Sequence, residues 1–407
     1  MHVRSLSLEN FRNYARLEMV WPGRHILLCG ANAQGKTSLL EAIYYLATAR
    51  SPLALLDRQL INWTAEREGL AYAHLRAEVV QRSRVVEIAI ALSLAPNDSD
   101  RLRLQKRVRV DRQVRRQRDL VGCLNVVLFL PQDVELVSGA PAGRRHYLDD
   151  TLCQVNPAYG AALDVYGQTL RRRNALLRHL SEEGGDPAQL DPLDERLAQN
   201  GVIICQSRRR LIAELSRHAS RLHAELTGGQ EWLRLAYQPN FDPACPPALK
   251  YQMGLALEEP AEPPKGIGPE DLVQAFRERL RARRQDEIVR GTTLTGPHRD
   301  EMRFLASEVD LGVFGSRGQQ RTAVLALKLA QLSWMAETTG EAPVLLFDEV
   351  LAELDRRRRE FLLDQVAGVE QAFLTATDLD MFSPSFRQQA ALLQVEGGII
   401  QPCAGEG

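Results

Sequence analysis

The chain has 407 residues, of which 44% are hydrophobic, 25% charged and 6% aromatic, a composition typical of folded globular proteins. This length predicts two or three domains and excludes a peptide hormone or a small disulfide scaffold. The 51 basic and 52 acidic side chains give a formal net charge of −1, so a surface that binds nucleic acid must be a local patch.

The cysteines and the N-terminus restrict the compartment. The six cysteines lie far apart without a C-x-x-C pair, which argues against a zinc site and against a secreted disulfide framework. The segment MHVRSLSLEN lacks the apolar stretch of an export signal, and no apolar run approaches the roughly 18 residues of a membrane span. We therefore expect a cytoplasmic protein without a membrane span.

The first elements along the chain are predicted to be strand, glycine loop and helix. Residues 1–29 have strand patterns that end in the continuous apolar run His25–Cys29. A glycine-rich turn follows, and from Thr37 apolar residues recur at helical spacing. A glycine loop between a buried strand and a helix is the context of phosphate-binding loops.

The turn itself, Gly30–Thr37, fits the P-loop pattern G-x-x-x-x-G-K-[ST]. Its glycines let backbone N–H groups turn inward around phosphates, and the helix N-terminus adds partial positive charge. Lys36, one of only five lysines, is predicted to reach the outer phosphates, and Thr37 to bind Mg²⁺. The predicted nucleotide contacts are Gly30, Ala31, Asn32, Ala33, Gln34, Gly35, Lys36, Thr37 and Ser38. The structural alternative is a glycine turn that only caps a helix.

The next region predicts several strands, among them Val85–Leu94 and Val126–Leu130. Between these two, nine cations fall within the 18 residues Arg101–Arg118. We interpret this basic run as the best candidate for contact with a DNA phosphate backbone. An exposed sheet face is the alternative, because such faces also alternate arginine with leucine and valine. Arg171–Arg173 and Arg208–Arg210 are weaker candidates, since helical triplets expose some arginines anyway.

Two long helices and a proline-rich connection are predicted in the middle of the chain. The first helix opens at Asn156–Pro157 and stops at Gly184–Gly185. The second opens at Asp191–Pro192 and continues at near-heptad spacing to Gly228–Gly229. The two form either a protruding antiparallel hairpin or an ordinary helical subdomain. Eight of the 20 prolines then fall within residues 239–269, which predicts an irregular connection.

An apolar strand near the C-terminus, Val344–Phe347, delivers Asp348 and Glu349 at its carboxyl end, where ligands collect in an open α/β sheet. Asp348 is predicted to bind Mg²⁺, and Glu349 to face the γ-phosphate as the general base. Alone this pattern is weak, because it also describes any strand that leaves the core. Together with the P-loop it predicts a site for nucleotide hydrolysis.

A second helix start also suits an anion. Residues Phe314–Arg321 open a helix after Gly315 and Ser316, and a helix N-terminus attracts negative charge. One P-loop needs only one phosphate cradle, so this second cradle raises the hypothesis that two chains sandwich each nucleotide. His298 has no second histidine or cysteine at ligand spacing, and we interpret it as structural.

Taken together, these motifs resemble the ATP-binding-cassette heads of the SMC type, and specifically the RecF family of bacterial repair proteins. The resemblance covers the chain from end to end and rests on Asn10–Tyr14, the P-loop, Phe129–Asp133, Gly139–Pro141 with Arg144 and Arg145, Gly296–Asp300, and Ser316–Arg321. It implies an α/β fold: an ABC/SMC-type P-loop ATPase head with an inserted α-helical subdomain. On this basis we expect the head in residues 1–133 and 291–407, and the insertion in residues 134–290, which ends after a helix over Glu270–Glu287.

The resemblance also implies roles for residues outside the P-loop. Arg12 would approach the phosphates, and Gln132 would be a catalytic Q-loop residue beside Mg²⁺ and the attacking water. Ser316, Gly318 and Gln319 would complete the partner subunit's site, and Asp355 would be the D-loop residue at the dimer interface. Two positions depart from the family pattern. Gln132 stands where glutamate is common, and Thr377 or Asp378 follows the strand Phe373–Thr375 in place of a switch histidine.

The implied function is ATP-dependent DNA binding in recombinational repair, with ATP and Mg²⁺ as cofactors. The chain would dimerise on ATP, hydrolyse it slowly with stimulation by DNA, and act at single-stranded, double-stranded and gapped DNA. RecO and RecR would be partners in loading the RecA recombinase, which links the protein to DNA damage, the SOS response and DNA replication. The alternatives are the ATPase subunit of an ABC transporter and a scaffold that uses ATP only for assembly.

Overall fold

The computed structural model of the chain describes residues 1–96, 102–242 and 268–403. The chain divides into two compact units, Met1–Asp133 with Gln331–Gly407, and Val134–Ala330. Most of the proline-rich connection predicted over residues 239–269 lies outside the described residues, as does Arg101 of the basic run.

The first unit contains a parallel sheet. The strands of this unit are β1 (His2–Phe11), β2 (Tyr14–Val20), β3 (His25–Cys29), β4 (Tyr72–Val80), β5 (Val85–Pro96), β6 (Leu102–Val110), β7 (Gln113–Arg115), β8 (Val126–Phe129), β12 (Val344–Asp348), β13 (Ala372–Ala376), β14 (Ala391–Glu396) and β15 (Ile399–Pro402). The parallel order is β14-β3-β13-β12-β8, with β15 antiparallel beside β14. All residues of β3, β8, β12 and β13 are buried, which explains their continuous apolar sequences.

A second sheet in the same unit is antiparallel, in the order β2-β1-β4-β5-β6-β7. One of its faces is buried and the other is not, so its strands alternate in polarity. In β4, for example, Ala73, Leu75, Ala77 and Val79 are buried, and the residues between them are more exposed. The described part of the basic run, residues 102–118, lies on β6, on β7, in the turn between them and in the helical turn after β7.

The helices of the first unit are α1 (Lys36–Thr48), α2 (Trp63–Arg67), α10 (Arg356–Ala367) and α11 (Pro384–Gln389). Helix α1 begins directly after the predicted P-loop and is the element that joins the two sheets. Its Ile43 and Tyr45 share one hydrophobic core with Leu8 of β1 and Ile26 of β3. Burial on both sides fixes the start of α1, and hence the P-loop, against the parallel sheet.

The second unit is mainly helical. It contains α3 (Glu135–Ser138), α4 (Pro141–Val155), α5 (Pro157–Glu182), α6 (Asp191–Thr227), α7 (Pro269–Arg290), α8 (Leu311–Phe314) and the first part of α9 (Arg317–Thr339), which crosses the boundary between the units. A small antiparallel sheet, β11-β10-β9, is formed by β9 (Leu233–Gln238), β10 (Glu301–Ala306) and β11 (Val309–Asp310).

Both predicted long helices are present as α5 and α6. Helix α6 has 37 residues, and its buried side chains run from Asp194 to Leu226. Close packing is achieved at Gly201, where a Cβ atom would lie only 2.5 Å from the ring of Phe276 on α7. Because α6 packs along its whole length, the structure favours the helical subdomain over a protruding arm.

The second unit extends further along the chain than the sequence pattern indicates. We expected the insertion to end at residue 290, but residues 291–330 also pack in this unit. The physical reason is strand pairing, since β10 pairs with β9 from Glu301↔Gln238 to Ala306↔Leu233. Long-range pairing of this kind leaves no mark in local sequence.

Candidate functional site

The P-loop connects β3 to α1 with a backbone that glycine permits. Gly30 has a φ of 147° and Gly35 a φ of 118°, values that side chains disfavour. A Cβ atom on Gly30 would also lie 2.3 Å from the Val395 carbonyl oxygen of β14. The predicted strand, loop and helix are therefore all present, and both motif glycines have a structural reason.

Lys36 is buried at the start of α1 and turns back onto the P-loop. Its Nζ donates to the carbonyl oxygens of Gly30 over 2.6 Å and of Ala31 over 3.0 Å. The same Nζ lies 3.1 Å from Oε1 of Glu349, so the two predicted catalytic-site charges form an ion pair. These contacts hold the Lys36 ammonium group against the backbone of the P-loop.

Asp348, at the end of β12, joins the P-loop side to a neighbouring strand. The Thr37 hydroxyl lies 2.9 Å from both carboxylate oxygens of Asp348, and the Thr375 hydroxyl of β13 donates to Oδ1 over 2.9 Å. Burial raises the pKa of the Asp348 carboxyl, opposed by the hydrogen bonds from Thr37 and Thr375. A buried carboxylate in this state gains free energy from a nearby cation.

Glu349 sits in a strained backbone conformation directly after β12. Its φ of 52° is uncommon for a residue with a side chain, and its N–H donates to the Thr375 hydroxyl over 3.0 Å. Thr375 therefore contacts both acids, through its oxygen and its proton. Backbone strain of this kind persists only where the surrounding structure fixes the residue. Here the Glu349 side chain is held in an ion pair with Lys36.

The parallel sheet explains why these side chains meet. Strands β3, β13 and β12 are adjacent, with Leu374 opposite both Leu27 and Phe347. Their carboxyl ends therefore reach the same edge, which is where open α/β sheets bind ligands. Sequence reasoning missed Thr375: it placed a strand there but sought a contact residue after it, at Thr377 or Asp378. Both of those are exposed, and Asp378 instead caps a single helical turn.

The chemistry of this edge suits Mg²⁺ and a triphosphate. Mg²⁺ prefers oxygen ligands and keeps several waters and phosphate oxygens around it. The Thr37 hydroxyl and the Asp348 carboxylate supply two such oxygens side by side, and because burial raises the pKa of Asp348, a bound cation would favour its ionised form. The residues present therefore fit the metal that the sequence predicts.

Two residues predicted from the resemblance have other surroundings. Arg12 forms a two-pronged ion pair with the buried carboxylate of Glu41 on α1, with its Nε 2.7 Å from Oε2 and its Nη2 2.8 Å from Oε1. Gln132 is exposed in the turn after β8. Phe129 pairs with Phe347 of β12, so Gln132 follows a strand next to the one that carries Asp348. The phosphate and water contacts of these two residues stay predictions.

The second predicted anion site begins α9, in the second unit. Ser316 and Gln319 cap this helix reciprocally: the Gln319 N–H donates to the Ser316 hydroxyl over 3.3 Å, and the Ser316 N–H to Gln319 Oε1 over 3.0 Å. Gly318 is exposed in the same turn, and so are two large apolar side chains just before it, Val313 and Phe314. The arrangement offers helix N–H groups to an outside ligand.

Asp355, the predicted D-loop residue, lies at the start of α10. It caps the helix by accepting the Arg358 N–H over 2.9 Å and forms an ion pair with the Arg358 guanidinium over 3.1 Å. Half of its side chain is exposed. A dimer contact for Asp355 stays a prediction.

The basic run divides into two faces of the antiparallel sheet. On the inner face, Lys106 pairs with Asp57 over 2.7 Å. On the outer face, Arg103, Arg107 and Arg109 are exposed along β6. In the part of the chain that the structure describes, none of these three arginines forms an ion pair.

The outer face forms a groove of about 660 Å³. Its floor consists of small residues of β5, where Ala91 pairs with Arg107 and Ala89 with Arg109. On the other side of β5, Ala91 pairs with His74 of β4. Short side chains between longer basic ones leave a trough with cationic walls, which we call the basic groove.

The helical arginine triplets behave differently. Arg173 is fully buried and pairs with Asp194 and Glu287, each over 2.7 Å. Arg208 is also buried, and pairs with Asp149 over 2.7 Å and Asp300 over 3.1 Å. The acidic partners of Arg173 and Arg208 were not evident from the sequence, because they lie far from these arginines along the chain. These two arginines hold the helices together and cannot reach DNA.

His298 of the motif Gly296–Asp300 is structural in its contacts. Its Nδ1 lies 2.8 Å from the Tyr166 hydroxyl and its Nε2 lies 3.2 Å from the Thr293 carbonyl oxygen. Burial lowers the pKa of His298 to about 4, so it is neutral at pH 7. Over the described ranges, no cluster of three or more histidine, cysteine, aspartate or glutamate residues is placed to hold a metal ion.

No helix in the described segments is both long and apolar enough to cross a membrane.

Comparisons with known proteins agree with this architecture. The family model of the RecF/RecN/SMC N-terminal domain matches residues 2–401. The DNA replication and repair protein RecF of Herpetosiphon aurantiacus is 40% identical over 411 residues, which cover 99% of this chain and 100% of that protein. The protein of the same name from Chloroflexus aggregans is 41% identical over 407 residues, with 98% and 99% covered.

Solved structures give the same answer for the fold. Two structures of the recombination mediator protein RecF in the RecFOR pathway, described as RecF-ATPrS and RecF-ATP, each match with a TM-score of 0.83 and 27% identity. Each match covers 99% of this chain and 98% of the other. The predicted α/β class, an ABC/SMC-type ATPase head, is therefore confirmed, and the chain belongs to the RecF family.

Proposed function

We propose that this chain is an ATP-switched DNA-binding protein of recombinational repair. In this proposal it dimerises on ATP, hydrolyses ATP slowly, and acts in the cytoplasm with RecO and RecR to load RecA at gapped DNA. The observation that carries the proposal is the joined cluster of Lys36, Thr37, Asp348, Glu349 and Thr375 at one edge of the parallel sheet. Full-length relatives that are described as DNA replication and repair proteins support the repair context.

The contacts of Lys36 support nucleotide binding. Two carbonyl oxygens and Glu349 are its present partners, over 2.6 to 3.1 Å. A triphosphate carries more negative charge than these partners, so Lys36 would exchange them for phosphate oxygens. That exchange would free the Glu349 carboxylate from its ion pair with Lys36.

Hydrolysis would then use the released carboxylate. Glu349 is the general base in this scheme, with Gln132 helping to orient the attacking water. Thr37 and Asp348 would hold Mg²⁺, which when bound neutralises charge on the phosphate oxygens. Thr375 would orient both acids, because it donates to Asp348 and accepts from the Glu349 N–H. The reaction is phosphoryl transfer to water with slow turnover that DNA stimulates.

Dimerisation would bring in the start of α9 from a second copy. Ser316, Gly318 and Gln319 form the helix start that would meet the triphosphate, where the N–H groups of Ser316 and Gln319 would exchange their capping bonds for phosphate oxygens. The exposed Val313 and Phe314 beside them offer apolar area to an interface. Asp355 would contact the partner across the same interface. A nucleotide that binds the dimer much more tightly than the monomer stabilises the dimer, by up to about 2.7 kcal/mol at a hundredfold excess over the Kd of the dimer. ATP would thus act as the switch.

DNA would bind in the basic groove. Arg103, Arg107 and Arg109 lie on the same face of one strand. Along the strand, Arg107 and Arg109 are about 6.8 Å apart, and Arg103 is about 13.6 Å from Arg107. They carry charge that no described acid neutralises. Phosphate groups of a nucleic-acid backbone are the counter-charge that such a row attracts. Few aromatic side chains line the groove, so recognition would depend on backbone charge and not on base stacking.

One experiment separates this function from its alternatives. We would measure binding of a gapped duplex and of lipid vesicles, with and without MgATP, for the wild type and for Lys36→Ala. The proposal predicts ATP-dependent binding to the gapped duplex, loss of that dependence in Lys36→Ala, and no vesicle binding. A transporter subunit would fail to bind the duplex. A scaffold would bind it without turnover, so phosphate release is measured in the same samples.

A further inference from the structure

Two turns of the first unit hold the backbone of the P-loop from outside the predicted nucleotide contacts. In the turn between β1 and β2, the Asn13 Nδ2 donates to the Gln34 carbonyl over 2.8 Å. The hydroxyl of Tyr14, the first residue of β2, donates to the Gly35 carbonyl over 2.9 Å. From the turn between β14 and β15, the Gly398 N–H donates to the same Gln34 carbonyl over 3.0 Å. Residues from both ends of the chain therefore meet at one peptide of the loop.

The second turn also holds the Gln34 side chain. The Gly397 N–H donates to Gln34 Oε1 over 2.7 Å. The two turns touch each other as well, because a Cβ atom on Gly398 would lie 2.5 Å from the Asn13 carbonyl oxygen. We call Asn13, Tyr14, Gly397 and Gly398 the P-loop clamp.

Peptide geometry turns this clamp into a constraint on phosphate binding. In a trans peptide the carbonyl and the following N–H point in opposite directions. Fixing the carbonyls of Gln34 and Gly35 toward the clamp therefore fixes the N–H groups of Gly35 and Lys36 on the side away from it. Those N–H groups belong to the part of a P-loop that surrounds phosphates.

The Tyr14 bond is placed where the loop becomes helix. The Gly35 carbonyl that accepts it also accepts the Leu39 N–H over 3.0 Å, the first hydrogen bond of α1. Tyr14 is fully buried, and burial raises the pKa of its hydroxyl, so it stays protonated as a donor. A Cβ atom on Gly35 would lie 2.5 Å from the Asn13 amide, so the clamp leaves room only for glycine there.

We infer that the P-loop clamp consists of positioning residues for the triphosphate, an inference that rests on the ATP site proposed above. The clamp orients the loop N–H groups before nucleotide arrives, and so lowers the cost of ordering them on binding. It gives the Asn13 and Tyr14 positions of the motif Asn10–Tyr14 a role at the nucleotide site. It also makes the C-terminal hairpin part of that site.

The test compares two variants that each remove one buried tyrosine hydroxyl. Tyr14→Phe removes the donor to Gly35 and keeps the ring, whereas Tyr166→Phe removes the hydroxyl that contacts His298 in the second unit. MgATP affinity, kcat, KM and thermal unfolding without nucleotide are measured for both. We expect Tyr14→Phe to raise Kd and KM for MgATP by about three- to tenfold with little change in kcat. We expect Tyr166→Phe to lower the free energy of unfolding by about as much as Tyr14→Phe does, but to leave the Kd for MgATP unchanged.

Each outcome bears on one idea. If Tyr14→Phe and Tyr166→Phe lose equal stability and both bind MgATP as the wild type does, the clamp is merely structural and the inference is wrong. Asn13→Ala provides an independent check if Tyr14→Phe folds poorly, since Asn13 is half-exposed and its loss leaves the core intact. Failure of the wild type to bind MgATP would instead contradict the proposed function itself.

Discussion

The two halves of the proposed ATP site differ in how far their polar groups are already satisfied. At the P-loop edge, Lys36 contacts Glu349 and Thr37 contacts Asp348. At the start of α9, Ser316 and Gln319 bond only within their own helix turn and to Glu231, and Gly318 faces solvent. The first half joins side chains from the P-loop and from separate strands, whereas the second is a helix start that is capped by its own residues.

This difference assigns separate tasks to the two halves. At the P-loop edge, charged side chains are already held in place, and preorganised charges of this kind can stabilise the charge that develops in a reaction. A capped helix start has no reacting group, but its partial positive charge can attract an anion that another chain presents. We therefore expect changes at the P-loop edge to alter turnover and changes at α9 to alter assembly.

The largest effect should come from Glu349→Gln. The amide keeps the size of the side chain but cannot accept the proton of the attacking water, so turnover should fall by about 10²–10⁴-fold. ATP-dependent dimerisation should remain. Phosphate release at saturating MgATP measures the first expectation, and sedimentation the second. Turnover close to that of the wild type would show that another group is the base.

The same contrast between paired and unpaired groups separates the arginines, and Arg208→Met tests the paired kind. Removing this guanidinium leaves the buried Asp300 and the partly buried Asp149 without their cation, which should cost about 3–5 kcal/mol of unfolding free energy. Arg210→Met is the matched control, since Arg210 is exposed on the same helix and should change stability by less than about 0.5 kcal/mol. Denaturant titration measures both. Equal effects would remove the distinction.

Arg107→Gln with Arg109→Gln tests the unpaired kind. Two lost phosphate contacts should reduce the slope of log affinity against log salt by about 1.4–1.8 for DNA, with stability unchanged. Arg82→Gln with Arg84→Gln is the control, because these arginines are exposed in the turn between β4 and β5, outside the basic groove. Binding titrations at several salt concentrations provide the slopes. An equal slope change in both double variants would place the DNA elsewhere.

The smallest effect is expected from Asp348→Asn in the absence of nucleotide. Because burial raises the pKa of Asp348, its ionised form destabilises the folded state above that pKa. The variant should therefore be more stable than the wild type at neutral pH, and the gain should fade as acid protonates the wild-type carboxyl. Unfolding measured as a function of pH tests this. A gain that persists below the ordinary pKa of aspartate would show a cause other than charge.

The sequence predicted the elements of the site better than their contacts. Local patterns placed the strand before Gly30, the helix after Gly35 and the strand before Asp348, and the structure contains all three. The ion pair of Lys36 with Glu349 and the bonds of Thr375 depend on which strands are neighbours, which local patterns do not encode. Sheet order decides these contacts.

The arginines show the same limit. Helical spacing indicated that the triplets ending at Arg173 and beginning at Arg208 expose some residues, and Arg210 is indeed exposed. Spacing alone could not indicate which arginines are buried, because their partner acids lie on other helices or after β9. In the strand β6, successive side chains point to opposite faces of the sheet, so the sequence could predict that one face of the basic run is exposed.

The most direct test of the account is sedimentation of the wild type and of Ser316→Arg with ATP, with ADP and without nucleotide. We predict that ATP alone shifts the wild type from monomer to dimer, and that Ser316→Arg still binds ATP but remains a monomer. A wild type that stays monomeric at saturating ATP, or a Ser316→Arg variant that dimerises as well as the wild type, would contradict a nucleotide held by two chains.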